Sequence, residues 1–518
     1  MKTLIVSIMA ILLPSASATI INIPNDYTTI QAGINAGTDG DTVLVQPGTY
    51  VENININSKE ITLASLFLIT NDSSFISSTI IDGDSVSQVL NLWYMEDTSS
   101  SVTGFTIQNG YNRTTGAGIY CLNCNLKINF NIIKNNVIGL PNENSYGSGI
   151  ACYFSNVHIF GNRITDNKTI GGSFGGGIYC EAGNVAIEDN FISGNDAQYG
   201  GGIHIDSSNG QIIYNTFAEN SAHQGGALSI SYSDIMIAKN LVSNNFAFNA
   251  GGGVFFNRSN SNFSGNVVAY NEVIATGGGL VIHIGNPWIL NNVIYHNDAT
   301  FRAGGIMTYD NSNALVTNNI IRGNTAESDP QINNGGPLDL RYCNIQGGWA
   351  GEGNIDMPPY FRSSANGDFH LMAVACGDPY DSPCIDAGDP SILDSLLDCA
   401  RGLGTECSDM GVYGGSGFWV VDIDEPDEAL PLKFFLSQNY PNPFNLSTMI
   451  KYELPTQSRV TIDIYDILGR KISTLQDAVE PAGYHELIWS AEGLSSGVYF
   501  YRLQTGDYGE TRKMMLIK

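Results

Sequence analysis

Three side chains that can exchange protons lie in two adjacent copies of a sequence repeat: Glu181 in one copy, and His204 and Asp206 in the next. Glu181 and Asp206 each come three residues after the aliphatic residue that follows a glycine cluster, and His204 comes one residue after it. If the copies stack in register, the two carboxyl groups lie side by side and the imidazole lies diagonal to Glu181. Such proximity raises the pKa of one carboxyl group, which suits general acid–base catalysis. These three are the candidate catalytic residues.

A set of aromatic residues shares the same predicted outward face, at the first or third position after the aliphatic residue. Its members are Tyr120, Tyr153, Tyr179, Phe255 and Tyr309. Aromatic rings of this kind can stack on sugars, so they are the candidate ligand-binding residues. The alternative is that the segments at 111–116 and 140–147 cover them. Two acids on adjacent copies also arise by chance on a long polar face, so a purely structural role competes with both assignments.

The repeat that places these residues runs from Gly116 to Asn324 with a period of 25 to 31 residues. Each of its eight copies begins with a glycine cluster and an aliphatic residue, and ends on Asn-x-[Ile/Val/Phe]-x-x-Asn. A period of this size indicates a solenoid, because one copy cannot bury its apolar face until its neighbours stack on it. The eight motifs open at Asn131, Asn162, Asn190, Asn215, Asn240, Asn266, Asn292 and Asn319.

Each copy contains three short segments in which apolar residues alternate with others, separated by Gly, Asn and Asp. This is the pattern of β-strands and turns, and the glycine clusters and β-branched core residues argue against helical repeats of similar period. Stacked strands place like side chains about 4.8 Å apart, so the aliphatic and asparagine columns should form ladders. The predicted fold class is all-β, a right-handed three-faced parallel β-helix followed by a small C-terminal β-sandwich.

The first residues have the pattern of an export signal. Lys2 precedes an apolar run from Leu4 to Leu13, and Ala16-Ser17-Ala18 fits a cleavage site, which predicts a signal peptide over 1–18. The run is too short to span a bilayer as a helix, and no later segment qualifies, so we expect no transmembrane segment. The net charge of −27 argues against nucleic acid as a partner. It is compatible with bound Ca²⁺, but no residue pattern identifies a metal site, so the cofactors stay unknown.

The nine cysteines fall mainly into two groups. Cys121, Cys152 and Cys180 share one inward column and are interpreted as small buried hydrophobic residues, with a disulfide between stacked neighbours as the alternative. The second group lies in an irregular stretch and is expected to form two disulfides, whose pairing the sequence leaves open. Its members are Cys376, Cys384, Cys399 and Cys407.

The residues before the repeat resemble the N-terminal cap of the pectate-lyase-like superfamily. A short amphipathic helix after Ile23 is followed by Gly40-Asp-Thr-Val-Leu-Val-Gln-Pro-Gly-Thr-Tyr50. A helix across the first coil would cover backbone groups that are otherwise open to edge pairing. The resemblance is specific for fold and not for a reaction. The predicted divisions are an N-terminal cap at 19–50, coils at 51–342, a C-terminal cap at 343–416 and an acidic linker at 417–432.

Residues 433–518 change character and read as short alternating strands, which predicts a small β-sandwich. They contain Asn439-Tyr-Pro-Asn-Pro-Phe-Asn445, then Gly469-Arg470 and Gly497-Val-Tyr499. With these motifs they closely resemble the type A C-terminal sorting domain of the type IX secretion system. The resemblance implies that the type IX machinery is a partner and that the protein is secreted or held at the cell surface. The sorting motif comprises Asn439, Tyr440, Pro441, Asn442, Pro443, Phe444, Asn445, Gly469, Arg470, Gly497 and Tyr499.

The coils resemble two groups of proteins with different functions. One group is the polysaccharide lyases and glycosidases of this fold, and the other is the polymorphic outer-membrane adhesins, whose pattern Phe217-Ala-Glu-Asn220 followed by Gly225-Gly-Ala-Leu228 reproduces. A lyase needs a basic residue, and no lysine occupies either outward column. The sequence therefore favours an extracellular glycan-binding or adhesion scaffold. The alternative is a polysaccharide lyase or glycoside hydrolase, and a structural coat protein is a third class.

Overall fold

The computed structural model describes residues 18–516 except 96–98, 365–366, 395–403, 415–434, 437–438, 440–441, 443, 446, 455–457, 468, 481–482, 492 and 507. The predicted signal peptide, apart from Ala18, and all of the predicted linker lie outside the described residues. The chain divides into two compact units after residue 417. The first unit is a parallel β-helix and the second consists of antiparallel sheets, which confirms the predicted fold class.

Three long parallel sheets correspond to the three predicted strands of each coil. Sheet A precedes the first repeat asparagine, sheet B lies between the two asparagines and sheet C follows the glycine cluster. Sheet A contains Ile20–Ile23, Thr42–Val45, Thr62–Ser65, Ser101–Thr103, Asn125–Asn129, Asn156–Phe160, Asn184–Glu188, Asn209–Ile213, Met236–Ala238, Asn262–Ser264, Trp288–Leu290, Ala314–Thr317 and Leu338–Arg341. Sheet B contains Gly48–Val51, Thr79–Asp82, Thr106–Gln108, Ile132–Lys134, Arg163–Thr165, Phe191–Ser193, Thr216–Ala218, Leu241–Ser243, Val267–Ala269, Val293–Tyr295, Ile320–Arg322 and Asn344–Ile345. Sheet C contains Ile54–Asn57, Leu90–Trp93, Ile119–Leu122, Ile150–Tyr153, Ile178–Glu181, Ile203–Asp206, Leu228–Ser231, Val254–Asn257, Leu280–Gly285, Ile306–Ser312 and Ile332–Asn334.

The sequence did not predict a fourth parallel sheet, sheet D, which follows the second asparagine of each motif. It contains Tyr111–Asn112, Val137–Tyr146, Lys168–Phe174, Asp196–Tyr199, Ser221–Gln224, Phe246–Ala250, Glu272–Val273 and Asp298–Ala299. Its strands vary from two to ten residues, and the register shifts between Gly139 and Asn144. Strands such as Ser221–Gln224 are polar and lack a run of alternating aliphatic residues, so they carry no period-two signal.

One continuous apolar core fills the coils. The inward residues of sheets A, B and C stack in register, as in the column of Ile187 and Ile212, and both of these side chains are fully buried. The side chains in the column of Ile192 in sheet B and in the column of Ile203 in sheet C are also stacked in register and buried. Since each coil buries its apolar side chains against two neighbours, stability comes from stacking and not from any single coil.

The repeat asparagines form two buried hydrogen-bonded ladders. In the first ladder, Asn190 Oδ1 accepts from the backbone N–H and the Nδ2 of Asn162 at 2.9 and 3.0 Å. Its own Nδ2 donates to Asn215 Oδ1 at 2.9 Å and to the Ile159 carbonyl at 2.8 Å. The residue before each asparagine turns the chain in a left-handed conformation, with φ of 52° for Asp189. The ladders therefore satisfy backbone groups that the sharp turns leave without strand partners.

A short helix, Ile30–Ala36, lies at the N-terminal end of the coils. It begins after Thr29, whose side chain accepts from the Ala32 N–H. Its buried residues Ile30 and Ile34 belong to the core of the coils. Two further helices, Phe67–Thr70 and Ser74–Ser78, precede the regular repeat.

The segment after the last coil packs along the outer face of sheet B. It contains an antiparallel pair, Phe361–Ser363 with Asp368–Leu371, and a short 3₁₀ helix, Val374–Cys376. Phe369 and Met410 form an apolar cluster with Val293 and Ile320 of sheet B. The backbone carbonyl of Val412 accepts from Lys239 Nζ at 3.1 Å, so the segment reaches back over several coils.

The prediction of two disulfides in this segment is wrong. Cys376 is disulfide-bonded, but Cys384 and Cys407 carry free thiols, and Cys399 lies outside the described residues. Cys384 is buried in the apolar cluster with Phe369 and Met410, whereas Cys407 Sγ lies 3.4 Å from the Asp386 carbonyl. The stacked thiols Cys121, Cys152 and Cys180 are also free and fully buried, in agreement with the interpretation as small hydrophobic residues.

The second unit contains two antiparallel sheets around its own apolar core. One sheet contains Phe435–Leu436, Ser447–Leu454 and Gly483–Ser490. The other contains Ser458–Asp466, Lys471–Glu480, Gly497–Thr505 and Tyr508–Leu516. Both contribute to one buried cluster, for example through Ile450 and Ile462. The sequence indicates five of these seven strands but neither Phe435–Leu436 nor Lys471–Glu480, and none of the side chains of Lys471–Glu480 is fully buried.

Candidate functional site

The strands of sheet C place the candidate catalytic residues side by side. Glu181 pairs in register with Asp206, and Tyr179 pairs with His204. The Tyr179 hydroxyl donates to Glu181 Oε2 at 2.8 Å, and the Ser207 hydroxyl donates to Asp206 Oδ1 at 2.7 Å. Each carboxyl group therefore already accepts one hydrogen bond from a hydroxyl group.

A second row of aromatic rings covers part of the predicted aromatic column. Tyr146, Phe174 and Tyr199 come from sheet D and stack with centroid distances of 5.3 and 4.8 Å. Tyr146 also contacts the Tyr153 and Tyr179 rings at 6.3 and 4.9 Å. Tyr179 is only 2% exposed as a result. The covering segments include the predicted stretch at 140–147, from which Tyr146 covers the Tyr179 ring.

The aromatic row of sheet D ends at Tyr199, and a groove opens beside it. In the next two coils the position of Tyr199 is taken by Gln224 and then by Ala250. The smaller side chains leave a cavity of about 530 Å³ between sheets C and D. It is lined by Phe174, Tyr199, His204, Asp206, Gln224, Ser229, Ser231, Tyr232, Asn249, Ala250, Phe255, Asn257, His283 and Tyr309. The change from large to small residues along one column thus determines where the groove begins.

The groove brings together some of the predicted site residues and leaves out others. Of the candidate catalytic residues, His204 and Asp206 line it and Glu181 does not. Of the candidate ligand-binding residues, Phe255 and Tyr309 line it. Tyr120, Tyr153 and Tyr179 lie in earlier coils and do not line it, although the Tyr179 ring stacks on His204 with centroids 5.7 Å apart.

His204 and Ser229 are the most buried polar side chains that line the groove. They are paired in register on adjacent strands of sheet C and are 2% and 1% exposed. His204 Nδ1 and Ser229 Oγ have no hydrogen-bond partner among the described residues. Burial lowers the pKa of His204 from 6.5 to about 3, so its imidazole is neutral at physiological pH. A buried polar atom without a partner is costly, and these are the two such atoms among the described side chains that line the groove.

The two walls of the groove are aromatic. On one side, Phe174 contacts the His204 ring edge-on, with centroids 5.1 Å apart. On the other side, Phe255 stacks against His283, with centroids 6.3 Å apart. The Tyr309 hydroxyl lies 2.7 Å from Thr276 Oγ1, which fixes the orientation of that ring. Apolar walls with a few polar groups at the floor are typical of small-molecule and saccharide sites.

The electrostatics of the groove are neutral to acidic. Asp206 contributes a carboxyl group, and no lysine or arginine is among the lining residues that the structure describes. Arg258 is exposed at the rim, where its guanidinium lies 5.3 Å from the centroid of the Tyr232 ring. Across the described part of the chain, no group of three or more His, Cys, Asp or Glu side chains could hold a metal ion. The residues therefore offer hydrogen bonds and stacking.

The sorting-motif residues lie mainly at the core and turns of the second unit. Asn439 is buried; its backbone N–H donates to the Tyr501 hydroxyl at 2.7 Å and its Nδ2 to Thr448 Oγ1 at 2.9 Å. Phe444 packs on Trp489 at 5.6 Å. The remaining described members are Asn442, Asn445, Gly469, Arg470, Gly497 and Tyr499. Tyr440, Pro441 and Pro443 lie outside the described residues.

Residues 438–518 match the family model described as a secretion system C-terminal sorting domain. The chain therefore carries a type IX sorting tail, which supports export to the cell surface or the medium. None of the helices in the described ranges is long and apolar enough to cross a membrane.

No curated protein matches the sequence of this chain. Among solved structures, a mutant of the PL6 family alginate lyase AlyGC is similar, with 16% identity and a TM-score of 0.38. The match covers 80% of this chain, which spans 60% of the length of that lyase. At such low similarity, substrate and activity must be argued from the residues of this chain.

Proposed function

We propose that this exported protein binds an extracellular glycan in the groove between sheets C and D. The single observation that supports this most strongly is the pair of buried, unpartnered polar atoms, His204 Nδ1 and Ser229 Oγ, at the floor of an aromatic-walled groove. Sugars present hydroxyl groups at their edges and apolar C–H faces, so they complement both the floor and the walls. Type IX export would deliver the groove to the compartment where such glycans occur.

Binding accounts for the site better than catalysis does. With a pKa of about 3, His204 is a weak general base at neutral pH. Glu181, which would complete the predicted pair of carboxyl groups, does not line the groove and accepts a hydrogen bond from Tyr179. Of the three candidate catalytic residues, Asp206 is then the one left to abstract a sugar proton.

The second candidate function, a polysaccharide lyase or glycoside hydrolase, has one observation in its favour. Asp206 and His204 line the same groove, so a substrate in it would contact both. A general acid–base mechanism requires groups within hydrogen-bond reach of the reacting atoms. An Asp206→Asn variant should abolish turnover under this alternative and leave binding largely intact under the proposed function.

The test is retention of the full exported protein on a panel of polysaccharides, with reducing ends and unsaturated uronates measured in the same samples. We expect retention without new ends. Tyr309→Ala should weaken retention because it removes one ring from the groove wall. Tyr214→Ala serves as the matched control, since Tyr214 is an exposed tyrosine in the turn between sheets A and B. Retention on no glycan would contradict the proposal, and new chain ends would establish the enzyme alternative.

A further inference from the structure

We propose that the groove selects neutral glycans and discriminates against uronates, by binding two neighbouring sugar hydroxyls with His204 and Ser229 and by repelling carboxylates with Asp206. This inference rests on the proposed function and specifies its ligand class. It assigns the floor of the groove a role in recognition that requires no bound metal.

The geometry of sheet C allows His204 and Ser229 to bind two neighbouring hydroxyl groups. His204 and Ser229 are direct neighbours on parallel strands, which places their backbones about 4.8 Å apart. Polar side chains from two such neighbouring positions can each bond one hydroxyl of an adjacent pair on a sugar ring. A hydroxyl can donate or accept, so it fits a neutral imidazole in either tautomer and a serine hydroxyl in either role.

The residues that line the groove beside His204 and Ser229 support discrimination against carboxylates. Asp206 is two residues after His204 on the same strand, and its half-buried carboxyl group lines the groove. The rim guanidinium of Arg258 is exposed and engaged with the Tyr232 hydroxyl at 2.7 Å. A uronate in the groove would therefore place its carboxylate near Asp206, and none of the described lining residues is a lysine or arginine that could compensate, which disfavours binding.

The overall charge acts in the same direction at longer range. A chain with a net charge of −27 repels polyanions during approach, and this repulsion weakens with added salt. Neutral polysaccharides experience no such repulsion. The local and the long-range electrostatics therefore both favour a neutral ligand.

The test compares the full exported protein on neutral polymers, namely laminarin, xyloglucan and galactomannan, and on uronate polymers, namely alginate and polygalacturonate. We expect measurable affinity for at least one neutral polymer and weaker affinity for both uronate polymers. Asp206→Asn should raise affinity for the uronates relative to affinity for the neutral polymer. Tighter binding of uronates than of neutral polymers by the unmodified protein would overturn the inference while leaving the proposed function intact. Retention on neither class would overturn both.

The hydroxyl pair is tested by Ser229→Ala, which should weaken binding of the neutral polymer about 3- to 10-fold, as for the loss of one hydrogen bond. Ser148→Ala is the matched control, because Ser148 Oγ is also buried without a partner among the described residues but lies outside the groove. Equal affinities of the two variants would contradict the role of Ser229. If Ser229→Ala failed to fold, the Asp206→Asn comparison would still decide the charge part.

Discussion

Asn319 and Cys343 meet at the C-terminal end of the first asparagine ladder, where the Asn319 backbone N–H donates to Cys343 Sγ at 3.4 Å. The thiol also lies 3.1 Å from the Arg341 carbonyl and 3.5 Å from the Val316 carbonyl. Asn319 Nδ2 makes the equivalent contacts one coil earlier, to the carbonyls of Thr317 and Ile289. Cys343 therefore occupies the ninth position of the ladder. Burial raises its pKa to about 12, so it is a neutral thiol and a weak acceptor.

Replacement of Cys343 by asparagine should stabilise the coils. The side-chain oxygen of the new asparagine would accept from the Asn319 N–H more strongly than sulfur does. Its side-chain nitrogen would donate to the carbonyls of Arg341 and Val316, which now face the thiol. We expect the free energy of unfolding to rise by about 1 kcal/mol, measured by urea denaturation. Cys343→Ser, which is smaller and cannot span these contacts, is the control. A Cys343→Asn protein that unfolds at lower urea concentration than the original would contradict the assignment of this position to the ladder.

An interruption in the middle of the ladder should be costly. Asn215 is 1% exposed, accepts from Asn190 and donates to Asn240 Oδ1 at 3.0 Å. Asn215→Ala would leave buried groups on both neighbours without partners, and we expect a loss of about 3 kcal/mol in the free energy of unfolding. Asn209→Ala, at an exposed position of sheet A in the same coil, should change it by less than about 0.5 kcal/mol. Similar losses in the two variants would show that the ladder is not a major source of stability.

The burial of His204 should make stability depend on pH. Its pKa is lowered from 6.5 to about 3 in the folded protein, so between these values the unfolded chain binds a proton that the folded protein does not. The free energy of unfolding should therefore fall as the pH falls from 6.5 towards 3, by on the order of 4 kcal/mol from this group. Above pH 6.5 the imidazole is neutral in both states and contributes no slope.

The measurement is a comparison of urea unfolding at several pH values for the unmodified protein and His204→Phe. Phenylalanine keeps the ring between Tyr179 and Phe174 and removes the titrating group. We expect the variant to lose less stability on acidification. Parallel curves for the two proteins would mean that His204 is not protonated on unfolding in this range, contrary to its burial.

The sorting tail makes a prediction about localisation. In a host with a type IX system, a chain that ends before residue 433 should stay within the cell envelope, because the part recognised for outer-membrane passage is missing. The full chain should appear at the surface or in the medium. Fractionation followed by immunoblotting distinguishes the two locations. Efficient release of the truncated chain would show that the tail is not the export determinant.

The sequence predicted the parts of the fold that repeat with a fixed offset. The ladder asparagines and the register of Glu181 with Asp206 follow from one period, because in-register stacking brings equivalent positions together. Sheet D was missed because its strands are of unequal length and often polar. The path of the C-terminal segment along sheet B was also missed, because contacts such as that of Lys239 with Val412 join residues far apart in an irregular sequence.

The candidate site was predicted only where its residues follow the period of the repeat. His204, Asp206, Phe255 and Tyr309 were identified from their outward positions on sheet C, and all four line the groove. The residues that shape the groove from sheet D were not identified, since their alignment depends on the register shifts of that sheet. An indication was present in the glycine-flanking residues: Tyr199 and Gln224 each precede a glycine cluster at the same position of the repeat.

The most direct test of the binding groove is to close it by extending the aromatic row. Gln224 follows Tyr199 in register, so Gln224→Tyr should add a ring to the stack of Tyr146, Phe174 and Tyr199 and fill the entrance. Gln224→Asn leaves the groove open and is the control. We would measure retention of both variants on the glycan that the unmodified protein binds. We expect Gln224→Tyr to fold normally and lose retention, and Gln224→Asn to keep it. Undiminished retention by a folded Gln224→Tyr protein would show that the glycan binds elsewhere.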